Sequence, residues 1–173
     1  MAYGGAIKNF EDAKRVFDCG FEKVVLNSIL FSDIALIQKI ASVYGSQSVV
    51  GSIDTKKNIL GKYRAYALSA NLNTGKEPVE WAALLEKSGV GEIMINAIDR
   101  DGTWLGYDEE LISKVASAVS IPVVACGGAG SFNDFEKAVH AGASAVAAGS
   151  LFVFQKKGMG VLISFPNNKL KIF

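Results

Sequence analysis

Short apolar runs alternate with longer segments whose apolar residues recur every three or four positions, and the alternation continues along nearly the whole chain. This spacing predicts helices over 10–18, 33–44, 78–88, 109–119 and 132–141, and strands over 23–26, 47–53, 91–98, 121–125 and 143–148. Asn9 is placed to cap the first helix and Gly20 to stop it, while Pro78 sits in the first turn of a later one, where no amide is needed. Residues 56–74 are polar, with alternation in Lys62-Tyr63-Arg64-Ala65-Tyr66, and predict a long loop carrying a hairpin. Continuous apolar strands between amphipathic helices mean parallel strands covered by helices.

One unit within this alternation occurs twice. The first copy has Gly4-Gly5-Ala6, then Asp12, Gly20, and Asn27-Ser28 closing the apolar run Val24-Val25-Leu26. The second has Gly127-Gly128-Ala129, then Asp134, Gly142, and Gly149-Ser150 closing Ala145-Val146-Ala147-Ala148. Asp12 to Asp134, Gly20 to Gly142 and Ser28 to Ser150 are each 122 residues apart, whereas the Gly-Gly pairs are 123 apart, a slip of one. Glycines at a strand end let backbone N–H groups approach an anion, and small hydroxyl or amide side chains complete the cradle. Two cradles call for a ligand with a phosphate at each end.

Polar or glycine residues stand at the C-terminal end of every predicted strand: Gly4-Gly5, Asn27-Ser28, Asp54, Asp99, Gly127-Gly128 and Gly149-Ser150. A doubly wound sheet gathers its ligand groups at one switch point, whereas a barrel uses all its strand ends. The period agrees with a barrel, since four βα units in 122 residues are about 30 each and eight make about 244. The expectation is an α/β chain of the (βα)8 TIM-barrel class, a single domain over 1–173 that corresponds to the C-terminal two-thirds of such a barrel. Its open edges would be places for self-association.

Composition narrows the partners. Eighteen basic and seventeen acidic residues give a net charge of +1, which points to neither nucleic acid nor a membrane surface. The apolar stretch 141–154 is too short to span a bilayer, and the N-terminus has no signal-peptide core, so a soluble cytoplasmic protein is expected. Cys19 and Cys126 have no metal-ligand spacing and read as small core residues; no metal or cofactor is called for. Asp54, ending a strand beside Lys56-Lys57, is a candidate general acid or base. The run Asn96-Ala97-Ile98-Asp99-Arg100-Asp101-Gly102-Thr103 makes a dense polar turn in which Asp99 could orient Arg100 or a substrate hydroxyl, and Asp101 and Gly102 could reach a ligand. His140 reads as a surface residue and Trp104 as a loop anchor or a stacking surface.

Ser52-Ile53-Asp54, the run from Ile98 to Thr103 with Gly106-Tyr107-Asp108, Ala125-Cys126-Gly127-Gly128-Ala129-Gly130 and Ala148-Gly149-Ser150 together resemble the cyclase subunit of imidazole glycerol phosphate synthase. The resemblance covers essentially the whole chain. It implies a lyase of histidine biosynthesis acting on a bisphosphorylated aminoimidazole carboxamide ribotide intermediate, with ammonia supplied by a glutaminase (glutamine amidotransferase) partner. Residue by residue, it implies Asp54 as one of two catalytic aspartates, one phosphate on Gly5, Asn27 and Ser28, and the other on Asp101, Gly102, Gly128, Gly149 and Ser150. Lys23 and Glu92 match two members of a charged ring through which ammonia enters; Asp99 and Arg100 are candidate supporting residues on the reading of the polar turn itself. The second aspartate and the rest of the ring belong to strands outside these residues. Ala6 stands where the family usually has a third glycine. The tail 158–166 is more similar to a paralogue associated with surface-polysaccharide genes, in which ammonia amidates a sugar acid, and a non-catalytic partial barrel that binds phosphates or assembles with another chain is the third alternative.

Overall fold

A computed structural model describes residues 1–154 together with 160, 161 and 163. The comparison drawn for the tail therefore falls mostly outside the described residues. The elements run β1 (Ala2–Gly4), α1 (Phe10–Asp18), β2 (Lys23–Leu26), α2 (Ala35–Tyr44), β3 (Val49–Lys57), β4 (Tyr63–Ala67), β5 (Leu72–Asn73), α3 (Pro78–Ser88), β6 (Glu92–Ala97), α4 (Glu109–Ala116), β7 (Val123–Cys126), α5 (Phe132–His140), β8 (Ala145–Ala147) and α6 (Ser150–Val153). Short 3-10 turns at Ser28–Phe31 and Ser46–Ser48 flank α2.

The strands order β1-β2-β3-β6-β7-β8, each pair parallel, and the sheet curls as part of a (βα)8 barrel. Among the described residues β1 and β8 pair on one side only. Off this path, β4 pairs antiparallel with β3 and β5 with β4, which is the hairpin expected within 56–74.

Register sorts the side chains. Val25 lies opposite Val50, and Val50 opposite Glu92, so Lys23, Val25, Val50, Ser52, Asp54, Glu92, Met94, Asn96 and Cys126 share the concave face. Val24, Leu26, Ile53, Ile93, Ile95, Val123 and Ala125 point the other way and are buried against the helices. There they meet Leu36, Ile37 and Ile40 of α2, Leu85 of α3, Leu111 and Val115 of α4, and Phe135 and Ala138 of α5. Each fully buried aliphatic side chain stabilises the layer by roughly 1.5–3 kcal/mol.

The paired helices of the repeat are set by the same device. Asn9 Oδ1 accepts from the Asp12 amide at 2.9 Å, and Asp12 Oδ2 accepts from the Lys8 amide at 3.0 Å. Ser131 and Asp134 form the equivalent capping box on α5, with the Ser131 amide donating to Asp134 Oδ2 at 2.9 Å. The repeated aspartates are thus helix-capping groups. Gly20 and Gly142, with φ of 88° and 108°, end the two helices in left-handed turns. His140 is exposed, as expected; Cys19 is exposed as well, contrary to its assignment to the core, because it caps the outer end of α1.

Candidate functional site

The backbone corrects the register of the repeat. Left-handed pairs occur at Gly5-Ala6, with φ of 132° and 54°, and at Gly127-Gly128, with φ of 87° and 109°. These pairs are 122 residues apart like every other landmark, so Ala6, not Gly5, is the counterpart of Gly128 and the one-residue slip disappears. Gly4 then matches Cys126, each the last residue of its strand. The amides of Ala6 and Ile7, and likewise of Gly128 and Ala129, donate to no backbone carbonyl among the described residues. Free amides beyond a left-handed turn are suited to anion contact.

The first cradle opens on a cavity of about 500 Å³. Gly5, Asn27, Ser28 and Asp54 all line it, joined by Lys8, Ser32, Leu68 and Ser69. The buried Asn27 carboxamide oxygen has no hydrogen-bond partner among the described residues, so its side chain is not committed to the protein interior. Lys8 and Asp54 are the ionisable residues on this wall.

The second cradle brings Asp101, Gly102, Gly128, Gly149 and Ser150 around a niche of only about 20 Å³. The polar turn after β6 fills the space above it. Gly106 donates its amide to the Gly128 carbonyl at 2.8 Å, and a Cβ placed on Gly128 would lie 2.3 Å from the Gly106 oxygen. Arg100 is turned away from the niche, donating to the Tyr107 carbonyl at 3.0 Å, with Nε 3.7 Å from Asp108. The Tyr107 hydroxyl donates to the Ala147 carbonyl at 3.0 Å, and burial pushes its phenol well above the usual range. Burial, reinforced by Asp101, also pushes the Cys126 thiol up, leaving it a neutral lining group.

Between the cradles, on the two central strands, Asn96 Nδ2 donates to Asp54 Oδ1 at 3.0 Å. The other carboxylate oxygen accepts no hydrogen bond among the described residues. Gly127 permits this arrangement, since a Cβ there would fall 2.9 Å from Asn96 Oδ1 and 2.5 Å from the Ala97 carbonyl. Asp99 does not reach Arg100; its Oδ2 accepts from the Lys57 amide at 3.4 Å and ties the end of β3 to this turn. At the opposite end of the sheet, Lys23 Nζ on β2 and Glu92 Oε2 on β6 form an ion pair at 2.5 Å across the start of β3. The cradles and Asp54 therefore lie at one end of the sheet, and the ion pair at the other.

The sequence places Asn96 in the polar run but assigns it no role of its own, and neither Lys8 nor the turn at Leu68-Ser69 is singled out. Lys8 carried a signal, a cation two residues beyond a glycine turn. Asn96 lies two residues along β6 from Met94 and faces the same way as Asp54, which strand pairing alone reveals. Nothing in the local sequence indicates that the hairpin folds back over the first cradle.

Comparison with known proteins adds a decisive match: residues 1–157 fit the family described as histidine biosynthesis protein. The chain belongs to that family. A Pseudomonas aeruginosa relative provisionally named imidazole glycerol phosphate synthase subunit hisF2 is 48% identical over 177 residues, 99% of this chain and 69% of its own length. The imidazole glycerol phosphate synthase subunit HisF of Pyrobaculum aerophilum is 46% identical over 153 residues, 88% of this chain and 60% of its own. A provisionally named HisF subunit of Leptospira interrogans is 38% identical over 99% of this chain and 68% of its own length. The chain thus spans about two thirds of the length of the curated relatives it matches. Among the described residues no helix is long and apolar enough to cross a membrane.

Proposed function

We propose that this protein acts as the cyclase component of an imidazole glycerol phosphate synthase. Its substrate is a ribotide with a phosphate at each end. One phosphate sits on Gly5, Asn27 and Ser28; the other sits on Asp101, Gly102, Gly128, Gly149 and Ser150. The observation that carries this reading is the placement of two equivalent units around one carboxylate. The β1–β2 and β7–β8 pairs are four strand steps apart, with Asp54 and Asn96 on the two strands midway between them. Four of eight steps is half the circumference of a closed barrel, so a bisphosphate spanning the mouth would lay its centre over Asp54.

Asp54 is the general acid–base group in this account. Asn96 fixes one carboxylate oxygen and leaves the other to take a proton from the attacking nitrogen and return it as the C–N bond breaks. Ammonia from a glutaminase partner would arrive at the far end of the strands, past the Lys23–Glu92 pair. The two charges are joined and partly buried, so separating them leaves each without its partner, a cost that suits a gate. Asp99 and Arg100 hold the surrounding loops through the Lys57 amide and the Tyr107 carbonyl.

The test is ammonia-dependent turnover of the bisphosphorylated ribotide by the protein and by its Asp54 variant. Asp54→Asn should lower turnover by about 10²–10⁴-fold with binding largely kept. Unchanged turnover in that variant would remove Asp54 from the chemistry. A second reading keeps the ammonia path and changes the acceptor to a sugar acid of a surface polysaccharide. Its support is the 48% identity to a relative whose name carries a second-copy number. Under that reading Asp54→Asn leaves ammonia transfer intact.

A further inference from the structure

The first cavity has a wall that the strand ends do not build. Between β4 and β5 the chain reverses at residues 68–71, and Leu68 and Ser69 line the cavity. Leu68, Ser69 and Ala70 have φ of 54°, 56° and 68°, three successive side-chain-bearing residues in the left-handed region. A backbone like this persists only where its surroundings dictate it. Burial does not dictate it, because all three residues are exposed. Two hydrogen bonds from Asn71 to the Leu68 carbonyl, at 2.9 and 3.2 Å, close the turn on itself. One bond ties it to another element: the Leu68 amide donates to Ser28 Oγ at 2.9 Å.

Ser28 is the hydroxyl of the first cradle. A serine oxygen has one proton to give and can accept two bonds. The Leu68 amide occupies an accepting position, and no acceptor for the Ser28 proton is found among the described residues. That proton is therefore available to an acceptor entering from the cavity. A hydroxyl that accepts a bond is polarised into a better donor, so the two bonds strengthen each other.

We propose that the 68–71 turn is a positioning element of the first cradle: the Leu68 amide aims the Ser28 hydroxyl at a bound phosphate, and the phosphate in return holds the strained turn closed. This rests on the reading of the first cavity as a phosphate site. The coupling is reciprocal, since whatever the turn adds to phosphate affinity the phosphate adds to closure of the turn.

Amide hydrogen exchange followed by NMR during titration with inorganic phosphate tests this. Shifts of the Ala6 and Ile7 amides report binding, and exchange at Leu68 reports closure. Saturating phosphate should slow Leu68 exchange roughly tenfold or more and leave the Gly61 amide, in the other turn of the hairpin, unchanged. In Ser28→Ala the Leu68 amide should exchange fast with or without phosphate, and Ser28→Thr should restore the protection. If Ala6 and Ile7 shift while Leu68 exchange stays the same, the coupling is wrong and the phosphate site stands. If no amide shifts at millimolar phosphate, the phosphate reading of the cavity falls and this inference falls with it.

Discussion

The two halves of the repeat share a backbone and differ in what lies over them. In each, a strand ends in a left-handed pair, a capped helix follows, and a second strand ends at a serine. Over the first lies a cavity of about 500 Å³, bounded by a short hairpin turn; over the second lies about 20 Å³, because the turn after β6 descends onto it. The same Gly-Gly signature therefore has two physical causes. Nothing approaches within 4 Å of a Cβ on Gly5, whose need for glycine is its φ of 132°. At its counterpart Gly127 a Cβ meets the Ala97 carbonyl oxygen at 2.5 Å, and at Gly128, where the first copy carries Ala6, it meets the Gly106 oxygen at 2.3 Å, so in the second copy neighbouring backbone requires glycine as well. An open cradle and one partly covered by a neighbouring turn can be cut from one template by changing the loop beside it.

The greatest loss is expected from one methyl added at Gly128, beneath the turn, set against one added at Gly5, which faces open space. Gly128→Ala should lose about 3–5 kcal/mol, since the two nearest atoms belong to the Gly106 backbone and Arg100 Cβ lies close behind, while Gly5→Ala should lose about 1–3 kcal/mol from its dihedral alone. Denaturant midpoints measure both, and equal losses would show that the roof over the second copy does not set its need for glycine. Next is the clamp that holds the roof. The buried Asp108 carboxylate caps α4 through the Leu111 amide at 3.1 Å and accepts from the Tyr63 hydroxyl at 2.8 Å. Asp108→Ala should cost about 2–3 kcal/mol and weaken phosphate contact at Ser150 while sparing Ser28, a distinction that amide shifts at the two serines would register.

The turn above the second copy also responds to pH. Hydrogen bonds from Lys114, Lys57 and Tyr63 hold the Glu110 carboxyl down at about 2. Because the folded value is depressed, the stability this group contributes is present above the ordinary carboxylate range near pH 4.5. It is lost as pH falls from there toward 2. Glu110 is exposed, so salt should shrink the effect, and Glu110→Gln should flatten the acid limb of the stability profile in that window. The smallest change is at Ala6, which holds φ of 54° where its counterpart Gly128 is glycine. Ala6→Gly should raise stability by up to about 1 kcal/mol in thermal unfolding, the relief of a left-handed side chain set against a freer unfolded chain.

These differences mark the limit of what the sequence exposes. The bounds of α1 and α3 agree with the spacing because Asn9, Gly20, Pro78 and Gly89 are local signals. β3 runs on to Lys57, past the expected end at Asp54, because residues 54–57 pair with β4, and polar alternation on a hairpin looks like loop until its partner is known. α4 ends at Ala116, short of the expected 119, because its last turn tightens, the Ala118 amide donating to the Val115 carbonyl three residues back at 3.0 Å. α2 begins at Ala35, two residues late, because the chain before it is closed by 3-10 bonds, from the Leu36 amide to the Asp33 carbonyl and from the Ile37 amide to the Ile34 carbonyl. At the site, strand-end residues were legible because barrel topology sends every strand end to one face. The Asn96–Asp54 contact depends on register between strands, and the turn over Ser28 on a tertiary fold-back, so neither has a local signature.

In the proposed reading the two cradles bind one ligand across the mouth. Calorimetry with a flexible alkanediol bisphosphate, about 15 Å between phosphorus atoms to match four strand spacings in a curled sheet, compared with its monophosphate, tests it most directly. The account predicts that the bisphosphate binds at least about tenfold more tightly, and that Ser28→Ala and Ser150→Ala each reduce it to the monophosphate level. Equal affinity for the two ligands in the unaltered protein would contradict it.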